Sequence, residues 1–203
     1  MKIYVIGIRR KEEKLAETIR LASNIGFHPE EFYGLDGAVT GLATTSWTYE
    51  LDNPGSDYHI GPFPIGCCLS HWSMWSALSF SKTDEDYYFI CEDDVRFKPG
   101  SLELVKTAID ELPSNWDMLY VGSCCASKSN GFEPSSNNVY KVDKTLCTHA
   151  YVVRRKALPM LLERCEKVWA PIDIAISELC HEEMEVYAIL PRLADQDDTV
   201  LIN

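Results

Sequence analysis

The stretch YYFICEDD, residues 87–94, decides the fold of this chain. Five aromatic or apolar residues in a row are typical of a short strand that is buried on both faces. The strand runs directly into three acids. Because side chains alternate along an extended chain, Glu92 and Asp94 are expected to point to one side and Asp93 to the other. The pattern predicts a central strand with carboxylates at its carboxyl end, where open α/β sheets bind ligands.

Helix and strand patterns alternate on both sides of this strand. Lys2 to Ile8 is short, apolar and β-branched like a buried strand, and Lys11 to Ile25 has the spacing of an amphipathic helix that Gly26 ends. The same reasoning predicts strands at 31–34, 118–122, 139–142, 150–153 and 185–190, and helices at 66–80, 101–112, 156–165 and 171–180. The alternation indicates an α/β fold with a largely parallel sheet and helices on both faces.

Length and composition are those of a globular protein. The 203 residues predict a single domain, 1–203, in which the polar, turn-rich segments 36–64 and 123–138 form flexible loops. The 19 basic and 31 acidic residues give a net charge of −12. Such a chain is not expected to bind nucleic acid, because that binding depends on Lys and Arg neutralising phosphates. No run approaches the roughly 18 apolar residues of a membrane span, so no transmembrane segment is expected.

The N-terminus and the cysteines bear on the cellular compartment. The apolar run Ile3 to Ile8 is too short for a signal peptide and has the wrong flanks, which predicts a cytoplasmic protein, in a bacterium or in the host of a virus. None of the eight cysteines forms a C-x-x-C pair, and we interpret all of them as reduced, mostly buried thiols. They are Cys67, Cys68, Cys91, Cys124, Cys125, Cys147, Cys165 and Cys180.

The three acids after the central strand have two interpretations. Magnesium and manganese take hard oxygen ligands, often one or two carboxylates together with substrate phosphates. In the functional interpretation, Glu92 and Asp94 hold such an ion against a diphosphate. In the structural one they belong to a solvated acidic turn, and these residues alone do not decide between the two.

Other candidates follow the remaining strands. Arg9 and Arg10 either grip a phosphate or a base, or begin a solvated helix. Asp36 and Gly37 form either a plain turn or a contact to a nucleoside ribose. Asp173 sits at a predicted helix start, where a carboxylate caps the helix or serves as a general base at the rim of a site.

Some polar and aromatic residues fit a structural role as well as a chemical one. Ser70 and His71 lie on a predicted helix. Ser70 lacks the G-x-S-x-G pattern of a serine hydrolase. A single histidine on a helix is more simply interpreted as a packed, hydrogen-bonded residue than as a catalyst. Trp47 and Tyr49, in the long loop, are candidates for stacking on a sugar. His149 precedes a strand and is either a metal ligand or a core residue.

Taken in order, several blocks of the sequence resemble glycosyltransferase family 25, which includes bacterial lipooligosaccharide galactosyltransferases and collagen galactosyltransferases. The resemblance runs from about residue 2 to residue 196. Its blocks are IYVI at 3–6, Arg9-Arg10, Asp36-Gly37, IGCCLSH at 65–71, YFICEDDV at 88–95, WDML at 116–119, AYVV at 150–153 and PID at 171–173. The IGCCLSH and EDD blocks are specific in combination and order, although either alone is a weak signal.

The resemblance implies a GT-A-like fold and an inverting transfer of galactose or another hexose. It implies a nucleotide-sugar donor, with a UDP-sugar expected, and a divalent cofactor, Mn²⁺ or Mg²⁺. The acceptor would be a hydroxyl of a glycan, glycolipid or glycoprotein, as in lipopolysaccharide biosynthesis. In such chemistry a carboxylate takes the proton of the acceptor hydroxyl, and the metal neutralises charge on the departing diphosphate.

Residue by residue, the resemblance assigns roles to matching positions. Glu92 and Asp94 match the family's metal motif, and Asp173 matches its Pro-x-Asp and is the expected catalytic base. The residues assigned to donor binding are Arg9, Arg10, Asp36, Gly37, Ser70, His71 and Asp93.

One departure keeps other functions open. Pro64 stands where family members commonly carry a Glu, which is compatible with a catalytically inactive module that binds nucleotide-sugar or glycan. A metal-dependent phosphohydrolase is a third hypothesis. It ranks last because the chain has no second Asp/His cluster of the kind that two-metal sites use.

Overall fold

The computed structural model describes residues 1–39, 61–124, 133–134, 138–180 and 182–197. In chain order its strands are β1 (Lys2–Gly7), β2 (His28–Tyr33), β3 (Tyr87–Glu92), β4 (Val95–Phe97), β5 (Met118–Gly122), β6 (Glu133–Pro134), β7 (Val139–Lys141), β8 (Ala150–Arg154), β9 (Val186–Ile189) and β10 (Ala194–Gln196). Its helices are α1 (Glu12–Asn24), α2 (Pro62–Ser79), α3 (Ser101–Glu111), α4 (Leu158–Arg164) and α5 (Ile172–Leu179). The predicted α/β class is confirmed.

Eight strands form one sheet in the order β2-β1-β3-β8-β5-β9-β7-β6. β1 is parallel to β2 and β3, and β5 is parallel to β9. β8 runs antiparallel to both of its neighbours, β3 and β5, and β7 is antiparallel to β6 and β9. The sheet is therefore mixed, which corrects the expected largely parallel arrangement. An apolar run shows that a strand is buried, but it does not fix the direction in which the strand enters the sheet.

The central strand β3 contributes to a hydrophobic core on each face of the sheet. Tyr88 and Ile90 belong to the core under α2, α4 and α5, whereas Phe89 and Cys91 belong to the core under α1 and α3. All four side chains are at most 1% exposed, and burial of a large apolar side chain stabilises a fold by about 1.5–3 kcal/mol. This packing confirms the predicted helices on both faces and fixes the position of the acids that follow β3.

A second, two-stranded sheet joins β4 to β10 in antiparallel register, with Gln196 opposite Val95. The sequence analysis missed both strands, because three residues carry too little periodicity. It also placed the start of α2 at Gly66, whereas the helix begins at Pro62. Proline suits that position because the first amides of a helix have no intrahelical acceptor.

The two predicted loops are described only in part. Residues 40–60, 125–132 and 135–137 lie outside the described residues, and with them Trp47, Tyr49 and Cys125. Within the second predicted loop, Glu133–Pro134 forms β6, which pairs with β7. None of the helices that the structure describes has both the length and the apolar character that a membrane span requires.

The cysteines divide into two groups. Cys124 and Cys147 form a disulfide, which corrects the interpretation of every cysteine as a reduced thiol. The fold brings these two together because the amide of Cys124 donates to the carbonyl of Leu146 at 3.1 Å. The free cysteines of the described ranges are as expected, four buried and one half-buried. They are Cys67, Cys68, Cys91, Cys165 and Cys180.

Candidate active site

A cleft opens at the edge of the sheet where β1 and β3 end. The two strands are parallel, with Ile6 opposite Glu92, so their carboxyl ends meet at one edge. The loop after β2 and the first turns of α2 complete the walls. The polar and glycine residues that line the cleft include Lys11, Asp36, Gly37, Ser70, Glu92 and Asp93. Several residues predicted from separate blocks of the sequence therefore share one surface.

Glu92, the last residue of β3, is held by two side chains from other elements. Thr148 Oγ1 donates to Glu92 Oε1 at 2.7 Å, and His71 Nε2 lies 3.3 Å from the same oxygen. The backbone amide of Glu92 donates to the carbonyl of His149 at 3.0 Å. Burial alone raises the pKa of this carboxyl, but the hydrogen bonds from His71 and Thr148 oppose burial, and the net effect is a lowered pKa. Glu92 is therefore a fixed carboxylate.

The orientation of His71 follows from a buried chain of donors. Trp75 Nε1–H, which can only donate, bonds to the hydroxyl of Tyr151 at 2.8 Å. That hydroxyl lies 2.9 Å from His71 Nδ1, so it donates its own proton to Nδ1. His71 Nε2–H then faces Glu92. The opposite tautomer would set a nitrogen lone pair against the carboxylate, so the core fixes the proton of His71 on the side of the acid.

Asp93 and Asp94 form the turn between β3 and β4. Thr18 Oγ1, from α1, donates to the carbonyl of Asp93 at 2.5 Å. Lys14 Nζ, also from α1, lies 3.4 Å from Asp93 Oδ1 and 4.0 Å from Asp94 Oδ2. Gln196 Nε2 donates to Asp94 Oδ2 at 3.5 Å. Helix α1 and strand β10 thus hold the acidic turn from both sides.

Of the three carboxylates, Asp94 has the least favourable environment for its charge. Burial, followed by repulsion from Glu92, raises the pKa of Asp94 to about 6. Its Oδ1 atom is buried and has no hydrogen-bond partner within the described ranges. A buried carboxylate oxygen without a donor is costly, and a hard divalent cation is the kind of group that removes such a cost. The residues present therefore fit the cation that the family resemblance implies at Glu92 and Asp94.

The wall opposite the acids depends on close backbone packing. A Cβ atom at Gly37 would overlap the carbonyl oxygen of Pro62, and one at Gly34 would overlap Ser70 Oγ. Ser70 Oγ accepts from the amide of Leu35 at 2.8 Å and donates to the carbonyl of Gly66 at 2.6 Å. Ser70 therefore ties the loop after β2 to α2, and glycine is needed where the loop meets the helix.

The basic pair lies beside the cleft rather than in its lining. Arg10 bonds to both carboxylate oxygens of Asp36, at 2.7 and 3.1 Å, and this contact lowers the pKa of Asp36. The guanidinium carbon of Arg9 lies 4.4 Å from the centre of the Tyr33 ring. Of these three residues, only Asp36 lines the cleft. Arg10 is bonded to Asp36 from outside the cleft, and Arg9 lies on the exposed turn before α1.

Asp173 lies in the first turn of α5, away from the cleft lining. Its Oδ1 accepts from the amide of Ile174 at 2.9 Å, and its Oδ2 accepts from the amide of Cys147 at 3.0 Å. His149 is buried beside β10. Its Nε2 lies 3.3 Å from the carbonyl of Ala194, whereas its Nδ1 has no hydrogen-bond partner in the part of the chain that is described.

Several residues of the site were missed by the sequence analysis. Lys11 and Lys14 are three residues apart at the start of α1, and this helical spacing was the available signal. Gln196 lies between Asp195 and Asp197 in the sequence. Asp197 pairs with Arg96, whereas Gln196 reaches Asp94. Tyr151 had no signal, because an apolar strand gives no reason to expect a polar contact.

Comparisons with known proteins agree with this arrangement. The family model described as "Glycosyltransferase family 25 (LPS biosynthesis protein)" matches residues 1–176. A "Glycosyltransferase 25 family member" of Drosophila melanogaster is 24% identical over 181 residues, 85% of this chain and 29% of the relative. "Procollagen galactosyltransferase 2" of Mus musculus is 24% identical over 129 residues, 60% of this chain and 20% of the relative. The chain thus spans between a fifth and three tenths of the length of these relatives.

A solved structure gives the same fold at low sequence identity. It is that of "a glycosyltransferase involved in the glycosylation of the major capsid of PBCV-1", at 9% identity and a TM-score of 0.53, and it covers 92% of this chain and 79% of that one. The likeness confirms the expected GT-A-like architecture. Since the family model matches residues 1–176, most of the sequence, the chain belongs to glycosyltransferase family 25.

Proposed function

We propose that this domain transfers a hexose, galactose or another, from a nucleotide-diphosphate sugar to a hydroxyl of a glycan acceptor, with inversion at the anomeric carbon. A UDP-sugar is the expected donor. The observation that carries the proposal is the acidic turn after β3: Glu92 and Asp93 line the cleft, and the adjacent Asp94 has a buried Oδ1 without a hydrogen-bond partner among the described residues. Such a site is poor at binding an anion alone and well suited to a cation that accompanies a diphosphate.

The cofactor in this proposal is Mn²⁺ or Mg²⁺. Carboxylate oxygens of Glu92 and Asp94 would hold the ion, which supplies positive charge to the departing diphosphate. His71 and Thr148 keep Glu92 ionised and correctly oriented through their hydrogen bonds. Lys14 offsets part of the negative charge of the acidic turn while the donor is absent.

Donor binding is assigned to the wall opposite the acids. Asp36 accepts hydrogen bonds from the donor's ribose, with Arg10 fixing the direction of its carboxylate. The backbone at Gly37 lets the nucleoside approach closely, and Lys11, directly before α1, faces the phosphates. Ser70 acts indirectly in this scheme, by holding the loop on α2.

Asp173 is the proposed general base. Each of its carboxylate oxygens accepts one backbone hydrogen bond, and each oxygen retains a second lone pair. The two bonds fix the carboxylate, and the retained lone pairs let it take the proton of the acceptor hydroxyl as that oxygen attacks the sugar. This role requires the acceptor to bind between the cleft and the start of α5.

The acceptor and the cellular location remain proposals. The family description names lipopolysaccharide biosynthesis, and the mouse relative is named for procollagen, so glycolipid and glycoprotein acceptors are both proposed. The predicted cytoplasmic location stays a prediction. The Cys124–Cys147 disulfide bears on it, because disulfides persist mainly in oxidising compartments and are rare in the cytosol.

The first test is a thermal-shift panel of UDP-, GDP-, CMP- and TDP-sugars, each with Mn²⁺ and with EDTA. A ligand that binds the native state raises the melting temperature by mass action. We expect a shift with the UDP-sugar that requires the metal. Asp94→Asn should abolish that shift, and Asp110→Asn, the same change on an exposed position of α3, should leave it intact.

Turnover separates the competing functions. Release of UDP that depends on an added glycan supports transfer. Metal-dependent binding without transfer or donor hydrolysis would favour the inactive module. That alternative relied on Pro64, but Pro64 lies in the first turn of α2, where the missing amide hydrogen costs no helical bond. No shift with any nucleotide-sugar would refute the proposal.

A further inference from the structure

The disulfide between Cys124 and Cys147 joins two segments that border the site. Cys124 follows β5, and Cys147 begins the short segment that leads into β8. The sulfur of Cys124 also lies 3.7 Å from Oε1 of Gln196, whose amide group contacts Asp94. The bond therefore connects the end of one central strand to the entrance of the next.

Three consecutive residues of that entrance contact Asp173 or Glu92, two of them through a carboxylate oxygen and the third through the backbone. The amide of Cys147 donates to Asp173 Oδ2 at 3.0 Å. Thr148 donates to Glu92 Oε1 at 2.7 Å, and the carbonyl of His149 accepts the amide of Glu92 at 3.0 Å. A change in the backbone conformation of Cys147 would therefore directly alter the hydrogen bond that its amide donates to Asp173.

The backbone of Cys147 has a conformation that needs support. Its φ is +71°, in the left-handed region that residues with a Cβ atom rarely adopt. Such a residue persists when its surroundings over-determine it. Two constraints act here: the disulfide itself, and the hydrogen bond from the amide of Cys124 to the carbonyl of Leu146.

We propose that the Cys124–Cys147 disulfide is a positioning element of the active site, which holds the Cys147 amide on Asp173 and makes the rate of transfer depend on the redox state of the protein. The inference rests on the proposed role of Asp173 as the base. Under this inference, the orientation of the Asp173 carboxylate depends on a covalent bond outside the cleft, and reduction of the protein removes that bond.

The chemistry of release is a thiol–disulfide exchange. A dithiol reductant gives two electrons and two protons, its own two sulfurs join, and the S–S bond between Cys124 and Cys147 breaks to give two thiols. Cys147 is then free to leave the left-handed region, and its amide turns away from Asp173. The carboxylate loses one of its two backbone donors and the orientation that they impose.

The direct test is nuclear magnetic resonance of the full chain labelled with ¹⁵N at cysteine, with the Cys147 signal assigned by Cys147→Ser. In the oxidised protein we expect the Cys147 amide proton far downfield, because it bonds to a carboxylate. It should move upfield in Asp173→Asn and, in the same direction, when the wild type is reduced. A Cys147 signal that is unchanged by reduction would overturn the inference.

The second arm measures transfer. On reduction, kcat should fall about 10- to 100-fold, the range expected when a catalytic group is misplaced, while KM for the donor changes less than about twofold. Cys124→Ser should match the reduced wild type and show no further response to reductant, and circular dichroism checks that both remain folded. Full kcat in the reduced enzyme contradicts the proposal. Should neither state turn over any donor, the proposed function fails, and the amide signal still decides the positioning role.

Discussion

Replacing Tyr151 with phenylalanine is expected to destabilise the protein well beyond the loss of one hydroxyl. That hydroxyl accepts from Trp75 at 2.8 Å and lies 2.9 Å from His71 Nδ1, and none of the three residues is exposed to solvent. The variant would leave a buried indole N–H and a buried imidazole nitrogen without partners. Each unsatisfied buried group costs about 1–3 kcal/mol, so the two together are expected to lower the free energy of unfolding by about 2–6 kcal/mol.

Urea unfolding at pH 7.5, followed by circular dichroism, measures this loss, with an unchanged m-value as the check for two-state behaviour. Tyr33→Phe is the matched control. Its hydroxyl contacts Glu12 and Glu31 near the surface, at 3.2 and 3.1 Å, and removing it should change stability by less than about 0.5 kcal/mol. If Tyr151→Phe is no more destabilising than Tyr33→Phe, the buried chain of donors that orients His71 does not exist as described.

Two further predictions concern the cleft. Gly37→Ala should destabilise the protein by more than about 2 kcal/mol in urea, because the new Cβ meets the backbone oxygen of Pro62. Gly61→Ala, where a Cβ meets nothing within 4 Å, should be nearly neutral, and equal losses would contradict the packing. Burial and repulsion from Glu92 raise the pKa of Asp94 from 3.8 to about 6. Between about pH 4 and pH 6 the native state therefore keeps a proton that the unfolded state has released. Because of this difference, the free energy of unfolding falls as the pH rises through that range. Asp94→Asn should therefore stabilise the metal-free protein by about 1–2 kcal/mol more at pH 7.5 than at pH 5, and an equal effect at both pH values would refute the assignment.

Local sequence was sufficient to predict the elements whose burial is dictated by their own residues. The central strand needed only its aromatic and apolar run, and α1 needed only its spacing. Strand direction was not predictable, because β8 and its neighbours β3 and β5 are equally apolar. β4 and β10 were missed since each is three residues long and exists only through its pairing with the other. These are properties of the assembled sheet rather than of any segment.

The site divides in the same way. The acids, Asp36 and Gly37 could be placed at one edge because they directly follow strands. The role of His71 could not be predicted, since it depends on Tyr151, which is 80 residues away in sequence. The Cys124–Cys147 disulfide was equally inaccessible, because 23 residues separate its partners and no spacing rule selects that pair among eight cysteines.

The two carboxylates of the proposed metal site differ in a way that separates a working enzyme from an inactive module. Glu92 is already stabilised by His71 and Thr148, so it would keep its charge and orientation in either protein. Asp94 is not: its Oδ1 is buried and receives no hydrogen bond from any residue that the structure describes, and its pKa is raised to about 6. A domain that binds sugar without a cation gains nothing from this unfavourable burial, and substitutions that relieve it are readily available. A domain that must hold a cation at each turnover recovers the cost when the ion binds. The unfavourable environment of Asp94 thus favours a metal-dependent transferase over an inactive relative of the same fold.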